Sequence, residues 1–189
     1  KQGDYKKEYL KVDAAKVKPP KTVQERISQE YQEAMGIYRT YTPTRYWKES
    51  FLWPMQSVIT SVFGTARVFN DTLKSFHSGT DFRAAVGTPI KAVNDGIVVL
   101  AKERYYAGGS VLIDHGEGVY SCYYHLSDLF VSVGEKIKRD TLIGLSGQSG
   151  RVTGPHLHFA FMVQGVQVDP LDFMEKVNGL FEAKGVQLK

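Results

Sequence analysis

Two short stretches hold most of the side chains able to do chemistry. "FHSGTDF", residues 76–82, places His77 and Asp81 on either side of Gly79, and "GPHLHFAF", residues 154–161, places His156 and His158 one residue apart in an apolar run. Neutral imidazole nitrogens and a carboxylate oxygen form a ligand set suited to Zn²⁺. His77, Asp81 and one histidine of the later pair supply three protein ligands and leave a fourth position open, as in a catalytic rather than a structural zinc site. The His-Glu-x-x-His pattern, whose glutamate moves protons, is absent, so that work falls to histidines not bound to metal. His125, near the end of "VYSCYYHL", is available for it. His115, in "IDHG" ahead of a Gly-x-Gly turn, reads as a structural, hydrogen-bonding residue.

Strand geometry explains how these groups could meet. Residues i and i+2 of a strand share a face, so His156 and His158 look one way while Leu157, Phe159, Phe161 and Val163 look toward a hydrophobic core. The same alternation puts Val119, Ser121, Tyr123 and His125 together and turns Tyr120, Cys122 and Tyr124 away. Cys122 therefore points away from His125 and reads as an inert buried thiol. Tyr123 is either a cleft wall or ordinary sheet packing. Gly79, with its serine and threonine neighbours, disfavours a helix, so His77 and Asp81 belong to a loop entering a strand.

The remaining elements follow from the same patterns. "TPIKAV" and "IVVLAKER", joined by Asn94-Asp95-Gly96, predict a hairpin, and "GGSVLIDHG", "GVYSCYYHL" and "HLHFAFMV" extend a mainly antiparallel β architecture. Thr22 with Glu25 forms a capping-box signal for a helix over about 23–39, with the apolar stripe Val23, Ile27, Tyr31, Ala34, Tyr38. Asp169-Pro170 opens a short terminal helix through about Phe181. "GLSGQSGRVTG" lacks the Gly-Lys-Ser/Thr step into a helix that a phosphate-binding loop needs.

Composition bounds the function classes. The 189 residues carry a net charge of +4, and the excess sits in residues 1–50, with 11 Lys/Arg against 7 Asp/Glu. No basic stripe with interleaved aromatics appears, which excludes nucleic acid as a partner. The single cysteine rules out an intrachain disulfide framework. There is no transmembrane segment in this chain and no signal-peptide run at its start, so an exported protein would have lost its signal. The expected organisation is a lysine-rich arm and amphipathic helix over 1–50 as linker or docking segment, a catalytic domain over 51–175 and a tail over 176–189.

"HSGTD", "IDHG", "YYHL" and "TGPHLHF", in this order and spacing, resemble the LytM-type (M23 family) zinc metallopeptidases that cut peptidoglycan cross-links, over about residues 51–173. "RVFNDTLKSFHSG" and "VDPLDF" are more similar to the Gram-negative periplasmic DD-endopeptidases than to the glycyl-glycine-cutting staphylolysins. The resemblance implies a LytM-like antiparallel sheet and one Zn²⁺ per chain held by His77, Asp81 and His158, with His125 and His156 as the catalytic pair. It further implies a periplasmic or cell-envelope location, peptidoglycan stem peptides as substrate, DD-endopeptidase action with DD-carboxypeptidase action by the same chemistry, and a regulatory domain upstream. The alternative is a degenerate LytM-like activator of cell-wall amidases, which would be expected to lack some of these five residues. The groove walls should come from "TARVFNDTLKSF", "KERYYAGG" and "GQSGRVTG". Arg67, Asn70, Tyr105, Tyr106 and Tyr123 are the candidates for holding substrate.

Overall fold

The computed structural model describes residues 6–185. In chain order the elements are β1 (Lys7–Leu10), α1 (Lys21–Arg39), β2 (Ile59–Ser61), β3 (Ala66–Phe69), β4 (Leu73–Phe76), β5 (Thr80–Arg83), β6 (Pro89–Lys91) and β7 (Gly96–Arg104). They continue with β8 (Gly108–Gly116), β9 (Val119–Leu129), β10 (Lys136–Ile137), β11 (Leu142–Ser146), β12 (His156–Val163), β13 (Val166–Val168) and α2 (Pro170–Gly185). The principal sheet has the antiparallel path β10-β7-β8-β9-β12-β5-β2, with β11 paired to β9 and β6, and β13 to β12. A small second sheet, β1-β3-β4, is parallel between β1 and β3.

Alternation along β12 sorts its side chains as its pattern predicts. Leu157, Phe159 and Phe161 are fully buried in the main core with Phe51, Phe82, Tyr123 and Ile113, under Trp47 and Met174. α2 closes this face, and Asn178 exchanges hydrogen bonds with the Phe51 backbone at 2.7 and 2.9 Å. Asp169 accepts from Leu171 N–H at 2.9 Å as the N-cap, and α2 runs past Phe181 to Gly185, so a boundary at 175 falls inside it. The opposite face is only half polar. Beyond His158, Ala160 and Met162 join Tyr120, Cys122, Leu112 and Leu100 beneath Ala34 and Tyr38 of α1.

Three local expectations are corrected. α1 begins at Lys21 with Pro20 as N-cap and no side-chain cap bond. Pro20 bars its predecessor from helical angles and leads straight into the helix, so Thr22 is already inside the first turn and its capping box does not form. Asn94-Asp95-Gly96 does not make a hairpin, because β6 pairs with β11 whereas β7 pairs with β8 and β10. None of the three has the positive φ that a two-residue hairpin turn requires. Asn94 instead donates to Glu49 O at 2.9 Å, which carries the chain across rather than back. The third correction concerns β9, which bulges against β8 between Tyr123 and Leu126, with His125 at φ 64°.

Candidate metal centre and its histidine pair

The ladder between β5 and β12 sets His158 directly opposite Asp81. His77, at the mouth of the loop before β5, has its Nδ1 2.9 Å from Val62 O. Donating that proton to the carbonyl leaves the Nε2 lone pair facing inward. There, His77 Nε2 and His158 Nδ1 each approach Asp81 Oδ1, at 2.9 and 2.8 Å, and lie 2.9 Å from one another. All three residues are buried. Lone-pair atoms so close repel one another unless a cation or a shared proton lies among them. Two imidazole nitrogens and one carboxylate oxygen are a donor set that fits a divalent cation such as Zn²⁺. Burial alone would raise the Asp81 pKa, but hydrogen bonds and charge from His158 and His77 outweigh it and hold the carboxyl well below the usual carboxylate range. Burial lowers the pKa of His158.

Support comes from outside the loop and strand that carry the cluster. Arg67 donates to the second Asp81 oxygen, leaving Oδ1 for the cluster. Glu8, on β1, accepts from Arg67 Nε at 3.3 Å and from Ser61 Oγ at 3.0 Å, and Ser61 Oγ lies 3.2 Å from His77 Nδ1. The N-terminal strand thus reaches two of the three cluster residues through one intermediary each.

His125 reaches the site by breaking strand alternation. Strict alternation would send it into the core beside Tyr123; the bulge and its left-handed backbone turn the ring to the face that bears His158. Its ring centroid is 4.8 Å from that of His156 and 6.1 Å from that of His158. Its Nδ1 is 2.8 Å from Ser149 O, and His156 Nδ1 is 2.9 Å from Gly154 O. Both rings therefore spend Nδ1–H on a carbonyl and keep Nε2 for other work. His156 Nε2 lies 3.8 Å from Asp81 Oδ1. Burial, then the charges of His156 and His158, push the His125 pKa well below the ordinary value.

The other candidates divide. Arg67 and Tyr106 line a 660 Å³ cavity that also reaches His77, His125 and His158. Asn70 is committed to the arm, its side chain bonding both N and O of Val12 at 2.9 Å. Tyr105 is largely buried and donates its hydroxyl to Ala15 O at 2.9 Å. Tyr123 is no cleft wall: it is wholly buried in the main core, its hydroxyl 3.0 Å from Val93 N and 3.0 Å from Ser121 Oγ. Cys122 does not point away from the site face, since His125 has crossed to it. It lies under α1 with Sγ 3.7 Å from Tyr38 Oη, and burial pushes its pKa up to about 11. His115 is fully buried and bonded at both nitrogens, Nδ1 to Asp95 O at 2.7 Å and Nε2 to Ser121 Oγ at 2.8 Å. Arg151, absent from the sequence-derived candidates, lines the same 660 Å³ cavity as His125. The signal for it was a lone cation in the glycine-rich segment already expected to wall the groove.

Comparison with known proteins places this geometry. The chain is 46% identical over 95 residues to peptidoglycan DD-endopeptidase ShyA of Vibrio cholerae, a match covering 50% of this chain and 22% of that protein. The chain spans about a fifth of the length of that curated relative. A crystal structure of a putative M23 peptidase from Pseudomonas aeruginosa superposes with a TM-score of 0.72 at 33% identity, covering 82% of this chain and 63% of that one. A zinc-containing peptidase from Vibrio cholerae superposes with a TM-score of 0.59 at 35% identity, covering 66% and 39%. The family model described as peptidase family M23 matches residues 75–170, just over half the chain. His77, Asp81, His125, His156 and His158 all fall inside that span and converge around the His158–Asp81 pair of the β5–β12 ladder, and the chain belongs to peptidase family M23.

Proposed function

We propose that this chain is the catalytic unit of a zinc-dependent peptidoglycan hydrolase that cuts peptide cross-links as a DD-endopeptidase and trims pentapeptides as a DD-carboxypeptidase. The observation that carries the reading is the juxtaposition of the His77–Asp81–His158 cluster with two histidines whose Nδ1 atoms are tied to carbonyls. The similarity to ShyA, named a peptidoglycan DD-endopeptidase, supports the substrate class. The zinc-containing neighbour supports the metal. An activator needs only a surface, and nothing would hold these five side chains together in it.

His77, Asp81 and His158 would hold one Zn²⁺ per chain, with Arg67 and Glu8 fixing the Asp81 orientation. When bound, such an ion acidifies water and polarises a carbonyl. The chain's own residues do the rest. With Nδ1 tied to a carbonyl in each, His125 and His156 keep Nε2 for the reaction: one takes the proton released on attack and returns it to the departing amine, and the other donates to the oxyanion in the form that carries a proton on Nε2 as well. Burial lowers the pKa of His125 and so keeps its imidazole in the neutral form, with the Nε2 lone pair free. The work takes place at the cell envelope, in the periplasm, with domains of the full-length protein upstream of this chain.

The test is digestion of purified cross-linked muropeptide dimers and pentapeptides, with no amidase present, followed by mass spectrometry. Release of monomers and tetrapeptides that stops with chelator and returns with Zn²⁺ is the expected result. Release only after adding an amidase would replace this reading with the activator.

A further inference from the structure

Arg151 is placed as no structural cation needs to be. Its loop is pinned, with Arg151 N–H donating to Tyr106 O at 2.8 Å. Gly150 before it has φ 82°, and a Cβ there would lie 2.5 Å from Gly108 N. The guanidinium is stacked between two rings, 4.5 Å from the Phe69 centroid and 4.8 Å from that of Tyr106. Two residues upstream, Ser149 O fixes His125. The 660 Å³ cavity and a second one of 400 Å³, which contains His156 and Asp81, share four lining residues: Arg67, Phe69, His125 and Arg151.

Arg67 is already neutralised by Glu8 and Asp81. Arg151 is not: among the described residues no carboxylate pairs with it, while burial and then the charge of Arg67 disfavour its cationic form. A preorganised guanidinium, partly desolvated and lacking a counter-ion at the junction of two substrate-sized cavities, is a carboxylate receptor. Resting on the function proposed above, we propose that Arg151 binds the free carboxylate on the carbon that carries the scissile nitrogen. A D-alanyl–diaminopimelate cross-link has a carboxylate at that position, and so does a peptide ending in D-Ala-D-Ala. One receptor then serves both the endopeptidase and the carboxypeptidase reaction, and it disfavours an internal peptide bond, where that carboxyl is itself an amide.

The experiment compares three forms of one cross-linked dimer: unmodified, amidated at that carboxylate, and amidated at a carboxylate elsewhere. The 189-residue chain is assayed with Zn²⁺, following kcat and KM. The expected preference for free over amidated carboxylate at the scissile position is on the order of 10- to 100-fold in kcat/KM, carried mainly by KM, and amidation elsewhere has little effect. Arg151→Met collapses the preference toward unity through loss on the free-carboxylate dimer, and Arg151→Lys keeps an intermediate preference. A parent protein that cleaves the forms equally overturns the assignment and leaves the peptidase reading standing. So does an Arg151→Met protein that discriminates as well as the parent. A parent that cleaves none of them removes both readings. The parent's own ratio needs no variant, so a poorly folding Arg151→Met protein does not shelter the proposal.

Discussion

Gly79 is the position where a single methyl group should report on the whole site. Its backbone lies against β12: a Cβ built there would collide with Phe159 O and come within 2.7 Å of His158 Nε2. The carbonyl belongs to the β5–β12 ladder, with Thr80 opposite Phe159 and Asp81 opposite His158, so it cannot retreat without opening the pairing that sets the cluster. Overpacking of this kind typically costs about 1–3 kcal/mol, which for a chain of this size lowers Tm by about 2–12 °C. Gly79→Ala should also turn the His158 ring and weaken zinc binding by on the order of 10- to 100-fold, as loss of a supporting partner does. Melting is measured in chelator, so that the packing cost is separated from the metal's contribution, and affinity by competition with a chromophoric chelator. The internal control is Gly36→Ala in α1, where the added Cβ meets nothing within 4 Å. That change should stabilise by about 0.5–1 kcal/mol through helix propensity. Parent-like Tm and zinc affinity in Gly79→Ala would show that the β5–β12 approach does not constrain His158.

Alanine at His77, Asp81 or His158 should remove metal and activity together, whereas His125→Ala and His156→Ala should keep the metal and lose turnover by a factor on the order of 10² or more; a filled site in His158→Ala and an empty one in His156→Ala would reverse the roles within β12. Phe159→Ala should cost about 3–5 kcal/mol in chelator, since the ring is fully buried and packs at 5.3 Å against Tyr123 and Phe161, while His156→Ala should melt near the parent; equal melting of the two would deny that they occupy opposite faces. Burial holds the His115 pKa down to about 4. The unfolded chain binds that proton below about pH 6.5, so the contribution is present above pH 6.5 and is lost as pH falls toward 4. The parent should therefore lose about 3 kcal/mol more than His115→Gln between pH 7 and 4, and parallel denaturation curves for the two would refute it.

Much of the site was legible because strand periodicity is a rigid rule. The one-residue spacing of His156 and His158 sufficed to place both imidazoles on one face and Phe159 and Phe161 in the core. What alternation could not show was its own interruption. His125 sits at φ 64°, a backbone region that is strained for a residue with a side chain, and neither its identity nor its neighbours announce the bulge. That single residue turns His125 to the site while Tyr123 stays in the core, and it undoes the argument that Cys122 lies opposite His125. Asn94-Asp95-Gly96 misled for a related reason, since its composition allows a hairpin turn without requiring the positive φ values that make one. Arg151 went unread because its place between the Phe69 and Tyr106 rings, with no carboxylate paired to it among the described residues, is set by packing and not by local sequence.

The bulge also explains how a site of five residues tolerates so little slack. Tyr124, immediately before His125, keeps to the site face, with its ring 5.5 Å from His158 and its hydroxyl 2.8 Å from Tyr38 Oη of α1. Leu126, just after it, returns to the core. The strand therefore presents two consecutive side chains, Tyr124 and His125, to one face, which regular pleating forbids. Beyond the bulge β9 leaves β12 and pairs with β11, so the opening between those strands is where His156 and the loop carrying Ser149 enter. Ser149 closes it: Gly109 N–H donates to its Oγ, its Oγ donates to Leu126 O, both at 2.9 Å, and its carbonyl holds His125. The same departure from regular pairing that costs conformational energy at His125 thus creates both the gap that the histidine pair fills and the anchor that orients one of its rings.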